Sequence, residues 1–302
     1  FFDQSILDNA VLSIKTEYYN RGLYSVIITP VVTQLERNRV NIEIQISEGP
    51  LAKIAAIDFI GNKIHSTNQL RKEMYLTTGN WMSWWYKDNQ YSSDKLAGDF
   101  EKIRAFYLNN GYIDFRLNSA QIQLSPDKQS VFITGNIIEG EQYRFKSIQL
   151  AGDYKDIPPA VLTPLITVKP GQIINQETLN KNIETIKNTM GNYGYAFANV
   201  NPVPDVNVKD HTVAYNLFID PGKKIYIRNV NISGNDKTRD VVVRRELRQE
   251  EAALYNSADI KRSKDRLDVL GYFKSADVTT TPVPGVNDQV DMNVKVVENN
   301  TG

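Results

Sequence analysis

Side chains able to do chemistry are sparse in this chain of 302 residues. It has no cysteine, which removes disulfides, thiolate metal sites and thiol nucleophiles together. His65 and His211, the only histidines, stand far apart beside turn sequences, with no second His and no carboxylate pair at ligand spacing, so both are expected at surface turns. No glycine-rich phosphate loop, Gly-x-Ser-x-Gly elbow or His-Glu-x-x-His helix occurs. An enzyme, such as one acting on cell-wall carbohydrate, would have to assemble carboxylates from distant segments, and each acidic residue already reads as solvated surface. The residues therefore predict no catalysis, no cofactor, no metal and no small-molecule substrate. Lys and Arg number 35 and Asp and Glu number 35, so the net charge is zero and nucleic acid is a poor partner.

What remains is contact chemistry. Arg239, Arg244, Arg245 and Arg248 crowd around Glu246. A solvated helix face braced by i, i+4 pairs is the ordinary reading of such a run. Trp81, Met82, Trp84, Trp85 and Tyr86 make one connection long and apolar. These rings either close the end of their own domain or its joint to a neighbour, or form an exposed patch of the kind that marks binding sites.

Those residues are set out on a repeat. A helix-ending Gly next to aromatic residues recurs at Gly22, Gly111, Gly194 and Gly271, spaced by 89, 83 and 77 residues. A strand-ending Gly followed by a polar residue recurs at Gly61, Gly152 and Gly234, spaced by 91 and 82. A third marker closes each unit: Glu48-Gly49, Glu139-Gly140 and Pro221-Gly222. Three markers in one order and one spacing predict a truncated copy over 1–50 and complete copies over 51–140, 141–222 and 223–302.

Each complete copy reads as strand, helix, helix, strand, strand. Ser66 caps a first helix carrying Leu70 and Met74, and Thr238 is expected to cap one carrying Val243 and Leu247. The second helices show apolar stripes at Ile6, Ala10, Ile14 and Tyr18, then at Leu96, Phe100, Ile103 and Tyr107, then at Leu179, Ile183, Ile186 and Met190. The last strand of each copy alternates, as in Val131, Ile133, Gly135 and Ile137. Two antiparallel helices return the chain to its starting end, so that last strand lies parallel to the first. The fold class is α+β, with tandem βααββ units that each place two helices on one face of a three-stranded mixed sheet, strung into an elongated rod. The strand after Gly111 changes phase. Ile113, Phe115 and Leu117 are apolar at odd positions and Ile122 and Leu124 at even ones, which requires a bulge near Asn118–Gln121. In such a sheet this strand is an edge. The bulge either blunts it against aggregation or leaves it open to an incoming strand paired through its backbone.

The βααββ unit with its Gly-Asn and Gly-Tyr markers resembles polypeptide-transport-associated (POTRA) repeats. Trp84-Trp85, Lys95-Leu96-Ala97-Gly98-Asp99, Leu124-Ser125-Pro126-Asp127-Lys128, Tyr193-Gly194-Tyr195-Ala196 and Arg244-Arg245-Glu246-Leu247-Arg248-Gln249 are similar to the BamA family of outer-membrane protein assembly factors. The likeness covers the whole chain as part of a second repeat and all of a third, fourth and fifth. It implies a periplasmic piece of a bacterial outer-membrane protein whose C-terminal membrane barrel lies beyond this sequence. It implies a scaffold that receives unfolded outer-membrane proteins; taken with the edge strand, this sets the expectation of strand addition at Ile113, Phe115, Leu117, Ser119 and Ile122. It also implies docking of accessory lipoproteins, expected at Arg244, Arg245, Glu246 and Arg248. The rival expectation is a passive spacer that holds a barrel away from soluble partners.

Overall fold

In each copy the two strands that follow the helix-ending glycine pair as a hairpin, and in three copies the second of them also takes a parallel neighbour from the start of the copy. The computed structural model describes residues 3–36, 39–79 and 82–299, with the Trp84 side chain outside that description. The chain divides into two compact units, one ending at Tyr143 and one beginning at Arg144.

The first unit opens with helix α1 (Gln4–Asn20) and the antiparallel strands β1 (Ile27–Leu35) and β2 (Arg39–Ser47). It continues with β3 (Lys53–Ile60), α2 (Thr67–Glu73), the single turn α3 (Ser83–Tyr86), α4 (Ser93–Asn109), β4 (Arg116–Leu124) and β5 (Ser130–Ile138). Sheet order is β3-β5-β4, with β3 parallel and β4 antiparallel to the central β5. The second unit holds β6 (Arg144–Gly152), α5 (Pro159–Leu162) running into a 3-10 turn (Thr163–Leu165), α6 (Gln176–Gly191), β7 (Asn199–Asn207) and β8 (Thr212–Asp220). It ends with β9 (Tyr226–Ser233), α7 (Asp240–Arg244), α8 (Ser257–Val269), β10 (Phe273–Pro282) and β11 (Gln289–Glu298). Its sheets run β6-β8-β7 and β9-β11-β10.

Period-two burial on the central strands supplies the cores. Val131, Ile133 and Ile137 of β5 meet Ile57, Leu70, Ile103 and Tyr107. Val290, Met292, Val294 and Val296 of β11 meet Ile227, Val243 and Leu267. Phe145, Leu162, Ile186, Val213 and Leu217 are likewise buried in the third copy, and each such apolar side chain withdrawn from water stabilises its copy by about 1.5–3 kcal/mol.

Two recurring devices set the geometry. Gly61, Gly152 and Gly234 end the first strands with φ of 96°, 92° and 80°, and a Cβ at any of them would run into the carbonyl oxygen of Ile137, Ile219 or Val296 on the central strand. Only glycine allows both the left-handed backbone and that approach. The second device is a buried polar group at the same point of the second helix in each complete copy. Asp99 accepts the N–H groups of Tyr75 and Leu76, both at 2.7 Å; Asn182 accepts that of Thr167 at 2.7 Å; Ser263 accepts that of Arg248 at 2.8 Å. Each one ties down the chain leaving the first helix.

Ser66 caps α2, accepting from the N–H of Gln69 at 3.2 Å. Two local expectations need correction. Leu7, not Ile6, is the buried residue of α1, and Ile6 is 67% exposed. Thr238 caps nothing: α7 begins after Arg239 without a side-chain cap, and Thr238 instead donates its N–H to Glu298 at 2.7 Å.

Candidate functional site

The phase break resolves as a bulge. Register between β4 and β5 shifts between Leu117 and Ser119, and pairing is then regular from Ser119 opposite Asn136 to Leu124 opposite Val131. The loop bond from Ser125 N to Ser130 O at 2.9 Å makes those two a hydrogen-bonded pair. Alternation along an antiparallel ladder then turns the N–H groups of Ser119, Gln121 and Gln123 towards β5 and those of Ala120, Ile122 and Leu124 outwards. No strand among the described residues covers that side. Ile122 and Leu124 face the same side as the core, yet lie far enough from the helices to remain 41% and 39% exposed. The edge therefore offers a row of donors beside an apolar strip.

Only part of the expected edge set lies on this edge. Ile113 and Phe115 precede β4. Phe115 is buried and stacked on Tyr107 with ring centroids 4.3 Å apart, so its side chain belongs to the core. Leu117 packs half-buried against that core. Ser119 and Ile122 are exposed on the strand. The alternation at 113, 115 and 117 reads as strand because a turn leading into a sheet also sends every second side chain inwards.

Glu246 differs from an open hot spot. It is 8% exposed, held by the Arg266 guanidinium from α8 at 2.5 Å and by Arg245 Nε at 3.2 Å. Burial pushes its carboxyl up, but the hydrogen bond and charge of Arg266, then those of Arg245, outweigh this and hold it below the usual carboxylate range. Arg244 is engaged with Asp240 at 3.1 Å and with the Val230 carbonyl at 3.1 Å. Arg248 is exposed beyond the helix. A shallow cleft of about 350 Å³ lined by Glu246, Asp265, Arg266, Val269 and Leu270 lies beside the pair. Arg266 could not be anticipated, since only the packing of α8 against α7 brings it there.

Trp81 lies outside the described residues. Trp85 is 71% exposed and Tyr86 is exposed, so neither ring closes its own domain. Tyr75 lies next to them, donating to the Tyr86 carbonyl at 3.2 Å, with Lys95 Nζ 5.2 Å from its ring centroid. His65 is not a plain surface residue. Its ring is half-buried edge-on to Phe106, Tyr107 and Tyr112, with Nδ1 3.2 Å from Gln69 Oε1. His211 occupies a turn at φ 49°. Among the described residues no three His, Cys, Asp or Glu side chains converge as a metal would require. No helix among them is long and apolar enough to cross a membrane.

A family model described as surface antigen variable number repeat, POTRA, matches residues 1–49, 52–140, 143–222 and 225–299. The chain is 42% identical over its whole length to the outer membrane protein assembly factor BamA of Neisseria meningitidis serogroup B, covering 38% of that protein. It is 28% identical over 88% of its length to BamA of Buchnera aphidicola, covering 43% of it. It thus spans about two fifths of the curated relatives it matches. The crystal structure of BamA POTRA3-5 from Haemophilus influenzae superposes with a TM-score of 0.72 at 31% identity, over 82% of this chain and 97% of that one.

Proposed function

The chain belongs to the POTRA family, as a BamA-type set of repeats, and from that premise we propose that it is a client-binding scaffold in the periplasm. In this reading it serves the outer-membrane protein assembly machinery, with its own membrane barrel following in the longer protein. Unfolded outer-membrane proteins add a strand to β4, and accessory lipoproteins dock on the α7–α8 surface. One observation carries the reading: Ala120, Ile122 and Leu124 direct their N–H groups outward beside the exposed side chains of Ile122 and Leu124. An incoming strand would gain main-chain bonds that any sequence can supply, and its alternate residues would continue the apolar strip. That pattern suits segments destined for a β-barrel, which alternate apolar and polar residues.

Lipoprotein docking on the last copy is supported by the exposed guanidinium groups of Arg245 and Arg248 and by Val269 at the rim of the cleft. Glu246 would act there through the arginines it orients.

Because the chain has no cysteine, a single cysteine placed at Gln121 or Gln123 takes a photoreactive label at one known point. On illumination with a urea-unfolded outer-membrane protein diluted into buffer, adducts are expected from both positions. Clients retained by the chain without adducts at either position would reject strand addition here, and clients not retained at all would favour the spacer.

A further inference from the structure

The edge of β7 in the third copy corresponds to that of β4 but is built differently. Four residues, 208–211, join Asn207 to Thr212, as four join Ser125 to Ser130. Counting back from the loops, Pro204 stands where Ile122 stands and Pro202 where Ala120 stands. The β7–β8 register runs from Asn199 opposite Asp220 to Asn207 opposite Thr212 with no shift past either proline. A proline nitrogen aimed at β8 would break the ladder, so both ring nitrogens point away from it. Two adjacent outward donor positions of β7 are thus without a hydrogen.

The strands equivalent to β7 in the first and last copies are only partly interrupted. β1 carries Pro30, and β10 ends in Pro282 with the Ala276 N–H given to Asp268 Oδ1 at 3.2 Å. β4 has no proline. Without its prolines β7 would be an attractive edge, because Val203 and Val206 are exposed along it and Val208 follows.

We infer that Pro202 and Pro204 close β7 to strand addition, so that an extended polypeptide able to pair with β4 does not pair with the equivalent strand of the next copy. The inference rests on the strand-addition reading and adds its selectivity. Incoming main chain would meet carbonyl oxygens alone over two consecutive donor positions, and its own outward carbonyls there would lose water without gaining a partner. The pyrrolidine rings also take up the space that the approaching backbone needs.

The test uses the full chain and an acetylated synthetic peptide of alternating valine and lysine, with a photoreactive label on a cysteine at Gln121 in β4 or at Val203 in β7. The parent is expected to give adducts from position 121 and background from 203. In the P202V/P204V variant adducts from 203 should rise about tenfold while those from 121 stay level. In Ile122→Pro, whose lost N–H faces outward, adducts from 121 should fall to background with melting unchanged. Equal adducts from both positions in the parent would overturn the inference and leave strand addition standing. So would a folded P202V/P204V variant that stays at background. Adducts from neither position in any variant would reject strand addition itself, and the inference with it.

Discussion

The Tyr107 hydroxyl, near the end of α4, donates to Glu139 Oε1 at 2.7 Å, and the same carboxylate accepts the N–H groups of Lys63, Ile64 and His65 at 2.7, 2.8 and 3.1 Å. One side chain at the end of the central strand thus holds the turn after β3 and the second helix together. Burial pushes the Glu139 carboxyl up, but Tyr107 and the three amides outweigh it and hold it below the usual carboxylate range. Burial, then the bond to Glu139, raises the Tyr107 phenol far above its ordinary value. Glu298 repeats the motif in the last copy, accepting from Lys237 and Thr238.

Because the folded-state pKa of Glu139 is depressed, its contribution is fully present above the unfolded value and disappears as pH falls through the folded one. The melting temperature of the chain should therefore drop as pH is lowered past the ordinary glutamate value and through the lower folded one, and less steeply in Glu139→Gln. At neutral pH that substitution should cost about 2 kcal/mol, because an amide nitrogen faces donors where an acceptor is needed. Urea titrations at neutral and acid pH check both. An unchanged acid slope in the variant would remove Glu139 as its source.

Glu246→Lys should lower the melting of the last copy with no partner present, since it sets a third cation against Arg245 and Arg266 at a buried position. Arg266→Ala should lower it as well, although Arg266 lies outside the arginine run. Circular-dichroism melting of both variants, with and without added salt, is the measurement. A lipoprotein that binds Glu246→Lys weakly reports on direct contact only if melting is preserved.

Gly152→Ala should destabilise the third copy by about 3 kcal/mol, combining left-handed strain with the approach to the Ile219 carbonyl. Gly171→Ala has a similar positive φ of 84° but open space around the added methyl, and should cost about 1 kcal/mol. Equal losses in urea unfolding would show that the close approach is not what selects glycine.

Residues 223–302 produced alone should melt cooperatively with a mixed α/β spectrum, because their buried core is drawn from residues between Ile225 and Val296. Residues 1–50 alone should not, since α1 and one hairpin bury little more than Leu7 and Val26. Circular dichroism with a thermal scan decides both.

The repeat, the βααββ order and the bulge were legible in the amino-acid sequence because each follows from local rules: period-two and period-3.6 burial, glycine where φ must be positive, and a phase break that only an extra residue can absorb. Gly61, Gly152 and Gly234 kept their identity because no other residue fits against the central-strand carbonyl. The equivalent buried clamps, Asp99, Asn182 and Ser263, did not, because an acid, an amide and a hydroxyl can each accept the same N–H. On an amphipathic helix such residues read as surface. Tertiary structure alone placed Arg266 against Glu246, drew Phe115 into the core, and turned the N–H groups of Ala120, Ile122 and Leu124 outward. These depend on which helix packs where and on strand register, and a one-residue change of register exchanges inward and outward donors along the whole edge.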